Sequence, residues 1–461
     1  MTREELHFSI RLLLRAPDSR ALAHIVRSTH PSDLADALSS LSHDQVRDFL
    51  QIMDPEPRAA VISYLPQQAQ DKLLRGLPRD ALIALFERLP ADDRADLFNR
   101  LSSEARDRLL PALAKAERED ILRLASYPDD TVGSVTTSDY VHVSPDLSVA
   151  DALAHVRSTA PDKETIYVIY VLDASNRLVG TLSLRELVLA DEQRVVGELM
   201  RRDPVFARAH WPRAQASELI RRYGLLALPV IDGSDRMIGI VTVDDAMEIE
   251  KADDATQLAR FGGAGTLGGP DLDLVNSSIS TMLRTRLFWL VMLTVFGIIT
   301  STFVAAQEEI LSKAIVLAAF IAPIVDMGGN TGSQSATLVI RAMALGQLRL
   351  RWRDVWFVIK RELPVAAALG IVIALLEVVL AWFSKGVGLD VLAVVGLSML
   401  ACTALGGIIG ALLPFAARRV GTDPATLSSP LITSIMDLVG VMIYFGFAYA
   451  FMGDLLIGAV G

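Results

Sequence analysis

The sequence predicts a multi-domain membrane protein. It should have an N-terminal α-helical solenoid, a duplicated α/β segment, a connecting helix and a five-span α-helical transmembrane domain. Three observations predict it. The first quarter repeats short apolar stripes at helical spacing, each broken by Pro, Asp or Ser. The next part alternates strand and helix patterns, and does so twice. From about Arg284 onward five apolar runs follow, each near or above the ~20 residues that cross a bilayer. The boundaries expected are 1–126 for the solenoid, 127–195 and 196–250 for the two α/β modules, 251–283 for the connecting helix and hinge, and 284–461 for the membrane domain.

Charge divides along the same line. The totals are 44 Lys/Arg and 54 Asp/Glu, a net charge of −10. From Arg284 onward there are 12 Lys/Arg and 10 Asp/Glu, which leaves 32 and 44 before it. The N-terminal part is therefore acidic, which argues against nucleic acid as a partner, because phosphate binding needs a concentrated basic face. One cysteine, Cys402, lies in an expected span, so neither an intrachain disulfide nor a thiolate metal cluster is available. The seven histidines, His7, His24, His30, His43, His142, His155 and His210, are scattered without metal-ligand spacing. The start Met-Thr-Arg-Glu-Glu-Leu lacks an apolar run behind a basic segment, so no signal peptide is expected and the N-terminal half should stay in the cytoplasm.

In the solenoid the units His30–Leu38, Pro78–Phe86 and Pro90–Phe98 share one form, with Pro and Asp early in each. Both suit the first turn of a helix and its positive dipole end. In the last of these units Asp92 and Asp96 share a helix face, with Asp93 adjacent. Acids near a helix start are also simply favoured by the dipole.

The first α/β pass reads as strand Tyr140–Val143, helix Ser148–Thr159, strand Thr165–Asp173, strand Arg177–Leu182 and a helix from Ser183. The second has a helix at Arg213–Tyr223 and strands at Leu228–Asp232 and Met237–Thr242. This duplicated strand-Gly-strand-Ser/Thr-helix pattern, at Gly180/Ser183 and Gly239/Thr242, resembles a tandem pair of CBS modules. The resemblance implies an adenine nucleotide (ATP) held by Thr242 and Asp245. Ser/Thr-x-x-Asp/Glu is equally an ordinary capping box.

Next come Asp244, Asp245, Glu248, Glu250, Asp253 and Asp254, six carboxylates within eleven residues. On one helix they repel, a strain that a bridging divalent cation would relieve. The glycine-rich stretch Phe261–Gly269 contains Gly-x-Gly-x-x-Gly but follows a helix rather than a strand, so it reads as a hinge and not a dinucleotide loop.

The spans are expected at 286–306, 314–340, 358–383, 390–416 and 430–453. Arg341, Arg349, Arg351, Arg353, Lys360 and Arg361 are expected in the loop after the second span, with Arg284 and Arg286 before the first and Arg418 and Arg419 after the fourth. All fall on one side, and only Lys313 and Lys385 fall on the other. The positive-inside rule then places the N-terminus in the cytoplasm and the C-terminus outside.

The second span carries Asp326, Asn330, Thr331 and Gln334 among Gly328, Gly329 and Gly332. An Asp at mid-membrane costs roughly 2.5–3.5 kcal/mol and is a functional-site hypothesis by default. The fifth span carries Asp437 in Ser428–Gly440, and the third carries Glu377 near its outer end. A polar seam between two helices is the alternative, though it seldom needs Asp, Asn and Gln together.

The run Gly-Gly-Asn-x-Gly-x-Gln, Gly328 to Gln334, resembles the signature of the MgtE family of magnesium channels, and the likeness extends over nearly the whole chain. It implies a homodimer in the bacterial inner membrane that conducts Mg²⁺ passively, with Asp437 as the pore carboxylate and Asp326, Asn330, Thr331 and Gln334 as its partners. It also implies that Asp92, Asp93 and Asp96, with the Asp244–Asp254 acids, form regulatory cation sites, and that the connecting segment is a plug helix. No nucleophile–base pairing points to an enzyme. A CBS-regulated membrane scaffold that transports nothing is the rival reading.

Overall fold

The structure, a computed structural model, describes residues 3–16, 18–263, 277–426 and 429–457. It divides into two compact units, Met1–Ala252 and Asp253–Gly461. Most of the expected hinge, 264–269, and Ser428 of the last-span motif lie outside the described residues.

The first unit begins with short helices running from Arg3 to Leu124. Proline opens or caps many of them: Pro31 and Pro55 sit in the first turn, and Pro66, Pro78 and Pro90 at the N-cap. The ring fixes φ and lacks an N–H that the first turn would leave unpaired. Alternate helices stack in the solenoid manner, with Arg3–Arg15 on Pro31–Leu38, then Pro55–Ser63, Arg79–Phe86 and Ser103–Leu109. The stack buries Ile10, Leu34, Phe49, Phe86 and Leu109 completely or nearly so.

The duplicated segment forms two matching three-stranded sheets. In the first, β1 (Tyr140–Val143) pairs parallel with β2 (Thr165–Leu172), and β2 pairs antiparallel with β3 (Leu178–Ser183). In the second, β4 (Ala207–Arg208), β5 (Ala227–Ile231) and β6 (Met237–Thr242) repeat that order and sense. Tyr170, Leu172, Ala227, Met237 and Ile240 form one apolar cluster drawing on both sheets, so the modules share a core. Thr137 and Ile240 exchange backbone hydrogen bonds, binding the linker before β1 to the second sheet. A long helix, Val243–Phe261, follows β6 without a break and carries all six acids of the predicted cluster.

The second unit holds five helices long and apolar enough to cross a membrane: Ile279–Ala305, Ile315–Ala344, Trp352–Lys385, Leu389–Val420 and Ser429–Met452. Four boundaries differ from expectation by four residues or more. The first span begins at Ile279 and the third at Trp352, and the second and fourth run on to Ala344 and Val420, so Arg284, Arg286, Arg341, Arg353, Lys360, Arg361, Arg418 and Arg419 are on helices rather than outside them. No Gly or Pro interrupts either start, and long basic side chains carry their charge to the interface while their stems stay on apolar surface. The second, fourth and fifth helices form the packed centre, with Cys402, Val394, Tyr444 and Phe445 buried. The Tyr444 hydroxyl donates to the Leu317 carbonyl at 2.8 Å, and the Cys402 thiol lies 3.7 Å from the Gly440 carbonyl. The first span packs on the fifth and leaves nearly all of its apolar surface facing outward.

Glycines let the second and fourth helices touch backbone to backbone. A Cβ on Gly406 would strike the carbonyl of Gly328, and one on Gly410 that of Gly332. Membrane helices approach closely where small residues permit it. Gly406→Leu is therefore expected to destabilise the bundle by ~1–3 kcal/mol, the usual cost of overpacking. A lowered unfolding temperature in detergent would register it, and an unchanged one would show that the two helices do not meet along this seam.

Candidate functional site

The second helix, Ala318–Ala344, has two faces that the sequence alone does not separate. Gly328, Gly329, Gly332, Thr331 and Ser335 are buried. Thr331 donates to the Met327 carbonyl of its own helix at 2.9 Å. Its hydroxyl therefore serves the packed seam, and the structure does not bring it together with the other expected pore residues. Likewise the carbonyls of Gly328 and Gly332 lie against Gly406 and Gly410 rather than opening to an ion.

Asp326, Asn330 and Gln334 recur every four residues and are all exposed on the opposite face. The Asn330 amide donates to the Asp326 carboxylate at 3.0 Å, which orients it. Asp437, half-buried on the fifth helix, is close enough to Asp326 for the two carboxylates to repel. One end of this interface is fixed where the Ser429 hydroxyl donates to Ser333 at 2.8 Å. Two acids that repel at membrane depth, with amide oxygens alongside, suit an oxygen-seeking cation.

Glu362, on the third helix, accepts a short hydrogen bond from the buried Ser335 hydroxyl. Sequence reasoning overlooked it because it follows Arg361 and reads as part of a basic interfacial run. Glu377 is half-buried on the same helix, with no hydrogen bond or ion pair among the described residues.

A second group of acids forms inside the first unit. Asp92 and Asp93 open the helix Ala91–Arg100, and Asp244, Asp245 and Glu248 sit on the first turns of Val243–Phe261. Burial first, and then Asp93, Asp245 and Glu164, push the Asp92 carboxyl well above the usual carboxylate range. One Asp92 oxygen is enclosed and has no hydrogen-bond partner. Asp245 is pushed up to about 6, mainly by burial, against the lowering effect of the Thr242 hydroxyl, with Asp244 adding to the rise. Asp93 is also raised, again by burial first. The fold brings together two acidic segments some 150 residues apart in sequence, and Glu164 joins them unforeseen. The sequence gives it no mark beyond an acid preceding a strand.

Other predicted members fall elsewhere. Asp96 is exposed and pairs with Arg100 at 3.1 Å, and Arg100 also holds Asp71 at 2.8 Å. Glu250 pairs with Arg221 at 3.4 Å. Asp253 and Asp254 belong to the second unit. Thr242 donates to Asp245 at 2.5 Å, as a capping pair does. His142 and His155 meet ring to ring with centroids 6.3 Å apart, a proximity their sequence spacing hides. Among the described residues no three His, Cys, Asp or Glu side chains converge tightly enough to enclose a bare ion.

Five helices long and apolar enough to cross a membrane, joined to a solenoid and a paired α/β module, define a multi-pass membrane protein whose carboxylate face suits a cation. The family profile described as "Divalent cation transporter" (MgtE) matches residues 321–447, the MgtE intracellular N domain matches 29–130, and CBS domains match 132–192 and 196–251. The magnesium transporter MgtE of Thermus thermophilus is 34% identical over 449 residues, covering 96% of this chain and 98% of the relative. The Bacillus subtilis magnesium transporter MgtE is 29% identical over 455 residues, covering 99% of each. The crystal structure of the cytosolic domain of the Mg²⁺ channel MgtE in complex with ATP is 34% identical, with a TM-score of 0.50, over 53% of this chain and 99% of that one. The chain belongs to the MgtE family.

Proposed function

We propose that the chain is a Mg²⁺ channel that admits the ion passively and closes when cytoplasmic Mg²⁺ is high. The observation that carries the reading is the approach of Asp437 and Asp326 on two packed helices, with Asn330 and Gln334 continuing the polar face. Mg²⁺ prefers octahedral oxygen and gives up its waters reluctantly, so carboxylates and amides would hold it through its hydration shell. The outward exposure of Asp326, Asn330 and Gln334 supports a homodimer, since a polar face at membrane depth needs cover and a two-fold axis would bring two Asp437 side chains to one pathway.

The membrane potential favours entry of a double charge by about 4.6 kcal/mol per 100 mV, twice the single-charge figure, so no hydrolysis is needed. The distribution of basic residues, read by the positive-inside rule, supports an N-terminus in the cytoplasm and a C-terminus outside. Regulation resides in the acids of the first unit. When Mg²⁺ is scarce, Asp92, Asp93, Asp244, Asp245 and Glu248 repel. When it is abundant, the ion bridges them, and the enclosed, unpartnered oxygen of Asp92 is the first ligand offered. Asp96 and Glu250 add to the same acidic field, while Asp253 and Asp254, further along the helix Val243–Phe261, are candidate cation ligands of the second unit. ATP is a further regulatory ligand, by analogy with the ATP-bound relative, with Thr242 and Asp245 as its contacts.

The test is Mg²⁺ uptake by purified protein in liposomes under a potassium diffusion potential without nucleotide. Uptake that grows with inside-negative potential is expected. Absence of uptake from folded protein at low internal Mg²⁺ would leave the CBS-regulated scaffold in its place.

A further inference from the structure

At the arginine-rich end of the membrane bundle, the start of the third span and the end of the fourth enclose a cavity of about 310 Å³. Its floor is apolar: Val355, Leu412 and Phe415. Its rim is cationic. Arg351 and Arg419 both line it, both are exposed, and neither has an ion-pair or hydrogen-bonding side-chain partner among the described residues. The Arg419 guanidinium instead lies over the Trp352 ring, 5.8 Å from its centre, and Trp352 is 77% exposed. The nearby acid Asp354 does not line the cavity and accepts from the Arg349 backbone N–H at 3.0 Å. Exposed cations without a carboxylate partner among the described residues, set above an apolar slot at the interfacial end of two spans, complement a molecule with one anionic end and one hydrocarbon end.

We propose that this cavity is a binding site for an anionic glycerophospholipid of the surrounding leaflet. Its phosphate sits between Arg351 and Arg419, and the first part of an acyl chain lies along Val355, Leu412 and Phe415. Basic pockets between membrane helices hold lipid headgroups in this way, and Trp at the interface level favours the same depth. Arginine suits the role because its planar fork matches phosphate oxygens two at a time. The site is separate from the Asp437 pathway and does not depend on which ion is carried.

The test uses the full-length chain in mild detergent with equimolar phosphatidylglycerol and phosphatidylcholine of matched acyl chains, reading retained lipid by native mass spectrometry. The wild type should retain phosphatidylglycerol several-fold over phosphatidylcholine. Arg351→Gln with Arg419→Gln should bring the ratio close to one. Arg284→Gln with Arg286→Gln, which removes equal charge from the first span, should leave the preference in place. Ala416→Trp fills the slot and keeps both arginines, and it should also abolish retention, with an unfolding temperature near that of the wild type showing that these exposed positions tolerate change.

Four outcomes overturn the site: no preference in the wild type, equal loss in both arginine pairs, retention unaffected by Ala416→Trp, or displacement of the lipid by excess inorganic phosphate. The last would make the occupant a soluble anion.

Discussion

Asp437→Ala is expected to reduce Mg²⁺ uptake into liposomes by at least about tenfold, because ~1.4 kcal/mol of lost ion stabilisation is enough for that factor. The carboxylate is half-buried at membrane depth and is repelled by Asp326, so without a cation it is a cost to the fold. Removing it should leave the unfolding temperature unchanged or higher. This combination distinguishes an ion-binding role from a structural one, since a residue that held the helices together would lose stability and transport at once. Asp326→Asn should have a smaller effect on uptake, because the Asn330 amide already shares that charge at 3.0 Å. Full uptake by the Asp437→Ala protein would exclude Asp437 from the ion pathway.

The second large effect concerns the acids around Asp92. Their carboxyls bind protons more tightly in the folded chain than in the unfolded one, so protonation stabilises the fold. That stabilisation is complete below the ordinary carboxylate value of about 4 and is lost as pH rises through the raised values, about 6 for Asp245. In chelator, the full-length protein should therefore melt at a higher temperature at pH 5 than at pH 7.5. Mg²⁺ at pH 7.5 should restore much of the difference by doing what protons do at pH 5. Asp92→Asn should shrink both responses and weaken inhibition of uptake by internal Mg²⁺. A melting temperature that falls on acidification, or Mg²⁺ inhibition intact in Asp92→Asn, would detach gating from this cluster. Asp96→Asn is the contrasting variant. Its side chain is exposed and pairs with Arg100, so a small effect is expected.

Local pattern carried much of the fold. Strand β1, the helix Arg213–Tyr223 and strand β6 lie where alternation, Gly spacing and helical periodicity put them. Apolar length alone located the five spans, and the polar run in the second marked the candidate site. What the pattern could not supply was facing. Asp326 and Thr331 are five residues apart in one polar stretch, yet one is exposed and the other buried, because only the packed fourth helix decides which side of the second is the seam. That stretch therefore has two faces, a packed seam on one side and an exposed polar row on the other. Glu164 and Glu362 stayed hidden for a related reason. An acid earns notice in a sequence through neighbours in the chain, whereas these two owe their surroundings to residues such as Asp92 and Ser335 on other elements. The span starts at Ile279 and Trp352 came earlier than hydropathy suggested, because a helix continues through basic residues that an apolar window rejects.

Cys402 has a practical consequence. It is the chain's single cysteine, fully buried, with its sulfur against the Gly440 carbonyl. A buried thiol in apolar surroundings is inert towards soluble reagents. The natural chain is therefore already a silent background for thiol-directed reporters. A cysteine introduced at exposed Gln334 or Glu248 would be the sole site to take up a spin label or fluorophore, so distances between the subunits of the proposed dimer can be read without first deleting a residue from the bundle's core.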